Sequence, residues 1–504
     1  MTDTTATAPP VAEAGEAHGG HITGYGTKGY RTYVLGSLLL VYIFNFIDRT
    51  IINILTEPIK TSFGVEDWQM GLLGGPAFAI LYTFLGIPIA RLSERVNRVM
   101  IIALAVGFWS LMTVLCGFAT TFLILFLFRI GVSVGEAGCT PPAQSLIADY
   151  FKPSSRATAV SIYALGVPLG GMFAAVFGGF VAGNLDGPQV LAAFQTWGWT
   201  WAANVLDWQN IEGWRIAFVV VGVPGLLLSL TVWLTVREPP RGYSDPPELQ
   251  RKAGEPRTSF LQVMGILFRK PTYVHVVIGA TIASFIGYGV GQFTTSFLIR
   301  THGLTIQQAA LLFGIILGVM AAIGVFMSGW LSDRWARKYP TSLSWLPALG
   351  MGLSVPFYAI GYSADNLWLA MPPLMIAAMI HYFYLGPMYA ISGGVVDSRM
   401  RATAVALTLF VVNLLGYGLG PPTIGALSTA LKSFALSGMD LGLTLESCRV
   451  LTDLPADIVA ACRKADANGL QWSIIIFNCL YAWAALHYLL AGKTLQRDML
   501  NKPA

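Results

Sequence analysis

Two carboxylates and two guanidinium groups sit in this chain where long apolar runs have little use for charge. Asp48 and Arg49 are neighbours inside Val41 to Leu55 (VYIFNFIDRTIINIL), and Arg129 and Glu136 lie inside a second apolar run. A charge near the middle of a membrane-spanning helix costs at least ~2.5–3.5 kcal/mol on insertion scales, so a segment that keeps two of them has a use for them. Adjacent helix residues diverge by about 100°. Asp48 and Arg49 therefore cannot neutralise each other face to face, and each needs a partner on another helix. Arg129 and Glu136 are seven residues apart. That is two turns, which puts both on one helix face about 10 Å apart along the axis, within reach of the Asp48–Arg49 segment at two levels. A buried carboxylate short of counter-charge is a usable proton carrier near neutral pH. Arginine stays charged and changes partner instead. The pattern points to Asp48 and Glu136 as groups that bind and release a proton while Arg49 and Arg129 exchange partners. The competing reading is a static salt-bridge cluster that ties two helices together.

The elements that must position this quartet are membrane spans. The chain is 55% hydrophobic and 11% charged, with a mean hydropathy of +0.62; soluble domains carry about 25% charged residues. A span needs about 20 apolar residues. Twelve runs qualify, at 31–55, 68–92, 98–119, 121–147, 157–183, 213–236, 272–298, 306–331, 341–362, 367–394, 402–430 and 470–492. Basic residues crowd the loops on the side of the termini, including Arg91, Arg95, Arg98, Lys152, Arg156, Arg334, Arg337, Lys338, Arg399 and Arg401. The positive-inside rule then places both termini in the cytosol. Residues 1–30 are rich in Ala, Thr, Gly and Pro and read as a disordered cytosolic tail without a signal peptide. Residues 31–236 form a six-helix bundle, 237–271 a polar linker that carries Pro239, Pro240, Pro246, Pro247 and Pro256, 272–492 a second six-helix bundle, and 493–504 a short cytosolic tail. Two longer insertions on the opposite side, 184–212 and 431–469, are expected to carry short interfacial helices. The net charge of +5 sits in short loops and is no nucleic-acid signal.

The two halves repeat. ARLSERVNR (Ala90–Arg98) follows the second run and GWLSDRWARK (Gly329–Lys338) follows the eighth; RATAV opens both the fifth run at Arg156 and the eleventh at Arg401. Two matches in register at equivalent loops mark an internal duplication. These loops resemble the signature of the major facilitator superfamily, G-x-x-x-D-R-x-G-R-R, with Ala90, Glu94 and Asn97 as departures in the first copy. NFIDRT (Asn45–Thr50) and RIGVSVGEA (Arg129–Ala137) further resemble the Spinster lipid transporters, whose patterns read N-Y-x-D-R and R-x-x-x-G-x-G-E-A; Ser133 stands where a glycine is commoner.

The resemblance implies an all-α membrane protein with twelve transmembrane helices in two pseudo-symmetric six-helix bundles, moving its substrate by alternating access. It implies a gate at the repeated loops, formed by Glu94, Arg95, Arg98, Asp333, Arg334, Arg337, Arg156 and Arg401. In that superfamily helices one, four, seven and ten line the cavity, so Asn45, Arg49, Arg129, Gln292, Thr294, His381 and Tyr384 are candidate substrate contacts. Packing between helices is the competing reading for each. The glycine-rich GYGVG at 287–291 and GYGLGPP at 416–422 serve either close packing or, with Tyr288, a cavity gate. No acidic residue falls inside the expected C-terminal spans, so the N-terminal half is expected to hold the proton chemistry and the C-terminal half an aromatic and apolar wall. That asymmetry suits an amphiphile such as a lysophospholipid or sphingoid phosphate, with protons as co-substrate; an organic anion or drug is the alternative. The protein is expected to act as a monomer in a bacterial inner membrane, without cofactor or metal. An intramembrane enzyme is disfavoured, since no H-E-x-x-H, D-x-x-x-D or Cys/His cluster occurs and His381 and Ser392 are three turns apart. No P-loop offers ATP coupling. Cys116, Cys139 and Cys479 read as core residues, while Cys448 and Cys462 leave a disulfide open.

Overall fold

The computed structural model describes residues 24–204, 207–244, 260–336, 338–397, 400–439, 442–449 and 454–500. Among the described residues, twelve helices are long and apolar enough to cross a membrane: α1 Lys28–Phe63, α2 Asp67–Ser93, α3 Arg98–Gly117, α4 Phe122–Tyr150, α5 Pro153–Asn184, α6 Gly213–Thr235, α7 Pro271–His302, α8 Ile306–Ala336, α9 Ser342–Ser363, α10 Leu367–Gly394, α11 Thr403–Ser437 and α12 Ala456–Asp498. All twelve expected spans are therefore helices, and the protein is a multi-pass integral membrane protein of the all-α class. An even number of crossings returns both termini to one side, called here the terminal side.

The expected boundaries need correction at the ends. The first helix begins at Lys28, capped by Thr27, and Tyr25 ahead of it bonds through its amide to the Tyr150 carbonyl. Residues 24–30 are thus packed against the bundle, not part of a loose tail. The last helix extends to Asp498, whose carboxylate accepts from the Thr272 amide. It also starts earlier than its apolar run, at Ala456, because the polar stretch 456–469 continues the same helix. Asp466 consequently lies within a C-terminal spanning helix, against the expectation that these spans hold no acid.

The duplication is visible in local geometry. Both α1 and α7 end on a left-handed glycine, Gly64 and Gly303, followed by a capping box, Glu66–Gln69 and Thr305–Gln308. A left-handed φ is a conformation only glycine adopts without strain. α4 and α10 start in the register set by the two RATAV copies, and both break in the middle, after Glu136 and after His381. In α4 the helix restarts at Thr140 with Pro141 and Pro142 in its first turn. Prolines are tolerated there because those amides need no intrahelical partner. The break therefore ends the first segment of α4 at the very carboxylate singled out from sequence.

The halves meet through small residues. A Cβ added to Gly71 would come within 2.4 Å of the Pro421 carbonyl, and one on Gly425 within 2.3 Å of the Asp67 carbonyl, so α2 and α11 cross almost backbone to backbone. Gly179 against Ala310, and Gly314 against Ala175, make the matching crossing of α5 with α8. The GYGVG and GYGLGPP stretches also serve close packing: Gly289 and Gly420 bring α7 and α11 together, with a Cβ on Gly420 only 2.2 Å from the Phe285 carbonyl.

Candidate transport site

The charged quartet forms one cluster between α1 and α4, lined by α2 and α3. Arg49 donates from Nε to Glu136 Oε2 at 2.7 Å. Arg129 reaches α1 by its backbone, donating to the carbonyls of Asp48 at 2.8 Å and Arg49 at 3.4 Å. The two-level approach of α4 to α1 is as the spacing requires, and Arg129 takes the Asp48 carbonyl. The Asp48 side chain turns toward α3, where Trp109 and Thr113 face it. Asp48 is 1% exposed and Glu136 is fully buried, whereas the Arg49 side chain keeps 15% of its exposure.

The cluster is short of partners. Asn45 Oδ1 and Nδ2, Asp48 Oδ1, Arg49 Nη2, Arg129 Nε and Glu136 Oε1 are all buried without a hydrogen bond. A buried polar group left unmade costs about 1–3 kcal/mol.

Aromatic rings surround the one accessible cation. Arg49 lies over the faces of Phe46, Phe78 and Tyr82, at 5.0, 4.8 and 4.3 Å from their centroids. From Tyr82 and Phe78 the rings continue across the pseudo-symmetry axis: Phe78 to Tyr417 at 5.4 Å, and Tyr417 stacked on Tyr288 at 4.2 Å. Tyr288 is 43% exposed and stands within electrostatic range of Arg49. Tyr42 of α1 and the exposed Tyr389 of α10 stand within electrostatic range of each other. Arg49 thus heads a line of aromatic rings that runs from α1 and α2 to Tyr417 of α11 and Tyr288 of α7. Tyr288 and Tyr417 were visible in the glycine-rich motifs; Phe78 and Tyr82 were missed, although their four-residue spacing puts them on one face of α2.

Several expected substrate contacts lie elsewhere. Gln292 donates to Thr56 Oγ1 at 2.7 Å and presses on Gly74, sealing α7 against α1 and α2. Thr294 is buried, donates to the Val290 carbonyl and lies near the Tyr362 hydroxyl of α9. His381 pairs with Tyr358 at 2.9 Å and packs beside Tyr481, between α9, α10 and α12. Tyr384 is buried against Ser284 of α7. Each of these four finds its partner among packed helices inside the bundle. Asn45, by contrast, adjoins Glu136 and remains in the cluster.

The residues of the expected gate are placed as follows. Arg98 is buried, but it ties α3 to α4 and to the start of the linker, through Asp149 and Glu238. Arg156 donates to the Ala148 carbonyl within the same half. Arg334 lies over its own helix neighbour Trp330, and Glu94, Arg95 and Arg401 are exposed. Arg337 and the Asp333 side chain lie outside the described residues. Among the described residues, ion pairs that join the halves are found on the other side of the membrane. Lys60 pairs with Asp67 and Asp466; Arg300 with Glu57, Asp67 and Asp466; Lys432 with Glu66 and Asp466. Ser428 also donates to Asp67 at 2.6 Å. The side opposite the termini is closed by this seven-residue lock. Nearby, Cys448 and Cys462 form a disulfide.

Three comparisons bear on this arrangement. The family model described as Major Facilitator Superfamily matches residues 38–421. An "MFS-type efflux pump" of Mycolicibacterium smegmatis is 29% identical, covering 79% of this chain and 84% of the relative. "Protein spinster homolog 1" of Xenopus laevis is 26% identical, covering 86% and 81%. A crystal structure described as a bacterial homolog to the human lysosomal transporter Spinster, inward-facing and unoccupied, is 41% identical with a TM-score of 0.88, over 94% of this chain and 100% of that one.

Proposed function

This chain belongs to the major facilitator superfamily and is homologous to the Spinster transporters, and from that premise we propose that it moves an amphiphile with an anionic head, driven by protons. It is a secondary transporter working by alternating access, not an enzyme. The observation that carries the proton reading is the Arg49–Glu136 pair with its unmet polar atoms, set at the head of a line of aromatic rings. Arg49 has a free Nη2 and residual exposure, so an anionic oxygen entering the cavity meets a donor. With the ligand bound, Arg49 faces two anions. An uncompensated buried charge costs several kcal/mol, and a proton on Glu136 removes it. Protonation and head-group binding are therefore favourable together and unfavourable singly, which is the thermodynamic content of coupling. Asp48 supplies a second carboxylate behind the first.

The rings from Tyr82 to Tyr288 give an acyl tail an apolar surface. With the opposite side locked, the cavity opens toward the terminal side. The bias of basic loops identifies that side as the cytosol, and a bacterial inner membrane fits the chain.

The test is transport in proteoliposomes under an imposed pH gradient, offering a labelled lysophospholipid and an organic anion to wild type and Glu136→Gln. Gradient-driven lipid movement that disappears in the variant supports the proposal. Movement of the anion alone removes the lipid assignment. Equal movement of both substrates in wild type and variant shows the quartet to be scaffolding.

A further inference from the structure

Between α5 and α6, on the side opposite the termini, the chain leaves the bundle for residues 185–212 (LDGPQVLAAFQTWGWTWAANVLDWQNIE). Four of the fourteen tryptophans of the protein fall here, and no Lys, Arg or His does. The described part is a small folded unit. Asp186 caps the helix Gly187–Thr196 with a capping box, Gly198 turns the chain at φ +70°, and Thr200–Ala203 forms a second short helix. Phe194 sits behind, stacked on Trp199 and edge-on to Trp208, and Trp208 donates to the Ala202 carbonyl. Three tryptophans are left facing outward: Trp197 at 62%, Trp199 at 48% and Trp201 at 72% exposed. A hairpin that folds one tryptophan in and presents three is not short of interior; it is presenting a surface.

We propose that this surface inserts into the lipid leaflet on that side, beside the seam between α5 and α8. Three observations favour lipid as the occupant. The neck is closed: the Gly187 amide bonds the Ile211 carbonyl at 2.8 Å, and no Cβ fits at Gly187 against Trp208. Glu212, at its foot, accepts from Ser62 at the end of α1 and from Trp214 in α6. The hairpin therefore stays at the membrane ends of the spans. Tryptophan concentrates at membrane–water interfaces, where its ring is apolar and its N–H wet. The seam is adjacent, since Asn184 at the end of α5 bonds Gln307 in the first turn of α8 at 2.9 Å. In so far as the transported molecule is an amphiphile, which rests on the function proposed above, the inserted rings loosen the leaflet where α5 and α8 part.

The experiment compares full-length protein with the Trp197→Phe/Trp199→Phe/Trp201→Phe variant in phosphatidylcholine vesicles, with and without bromine on the acyl chains. Phenylalanine keeps the fold's apolar surface and removes only the emission. The difference spectrum isolates the three rings. Blue-shifted difference emission quenched by brominated lipid is the expected result. Red-shifted, unquenched emission places the rings in water and overturns the proposal. Blue-shifted emission untouched by brominated lipid but dependent on the protein-to-lipid ratio also overturns it, in favour of contact between copies. None of these readings depends on which substrate moves. A lipid-inserted hairpin in a protein that moves only the organic anion would leave this proposal standing and remove the amphiphile.

Discussion

Replacing Arg300 with glutamine should release the side opposite the termini. Its side chain is 6% exposed and binds three carboxylates, with a fork on Asp67 at 2.8 Å through both terminal nitrogens. The lock sets three cations, Lys60, Arg300 and Lys432, against four carboxylates, Glu57, Glu66, Asp67 and Asp466. The substitution leaves two cations facing four. Removing one partner of a buried pair costs about 3–5 kcal/mol. Glu57 and Asp466 keep 20% and 18% of their exposure, and solvent screens those pairs, so we take the lower end, about 3 kcal/mol. When the halves part, the same groups meet water, so the loss falls on the closed arrangement and shifts the balance by about two decades. Thr56 reports on it, being fully buried and bonded to Gln292 behind the lock. A Thr56→Cys reporter in a Cys479→Ser background should react with an impermeant maleimide added on that side in proportion to the open population. Arg300→Gln should raise the rate about 100-fold, and Arg300→Lys, which keeps the charge without the fork, by less. A rate for Arg300→Gln within about threefold of the parent would refute the assignment of the lock, because so small a change is under ~0.7 kcal/mol.

Other expectations follow from the same contacts. Arg49→Lys keeps the charge but loses the flat face set against three rings, and should raise the KM for substrate about tenfold in vesicle transport; an unchanged KM would remove Arg49 from the binding site. His381→Phe leaves the Tyr358 hydroxyl without its partner at about 1–3 kcal/mol, so Tm in detergent should fall while KM stays constant; the reverse pattern would return His381 to the cavity. Gly420→Ala forces a methyl against the Phe285 carbonyl, costing about 1–3 kcal/mol and lowering Tm, whereas Gly36→Ala, which meets nothing within 4 Å, should not. Replacing Cys448 and Cys462 with serine opens a loop worth about 3 kcal/mol, which should expose the α11–α12 connection to protease without changing transport.

Much of the architecture was legible before any coordinates. Apolar run length is set by bilayer thickness, so twelve runs could be read directly as α1–α12. The repeated loops carried the two-fold order, and the RATAV register turns out to relate the breaks in α4 and α10. Where polar residues extend a helix the run length fails, which is why α12 starts at Ala456 and holds Asp466. Within the site, a seven-residue spacing was enough to set Arg129 and Glu136 against α1. It was not enough to choose atoms: Arg129 takes carbonyls, and Asp48 turns to Trp109 and Thr113.

The lock shows the limit most plainly. Lys60, Asp67, Arg300, Lys432 and Asp466 come from five helices scattered over the chain, and no spacing connects them. Four of them are ordinary charges near helix ends, and Asp466 lies in a polar stretch that the apolar run leaves out. The terminal-side motif was easier to see because it repeats, whereas the lock on the other side, drawn from the described residues, does not. What the sequence determined by itself was everything governed by local periodicity and by the cost of charge in lipid: the spans, the duplication, and the fact that four buried charges need each other. Which charges meet, which polar groups stay unmet and which side is shut were decided by the tertiary structure. Those outcomes depend on distances between segments hundreds of residues apart, and Coulomb energy follows distance in space, not in sequence.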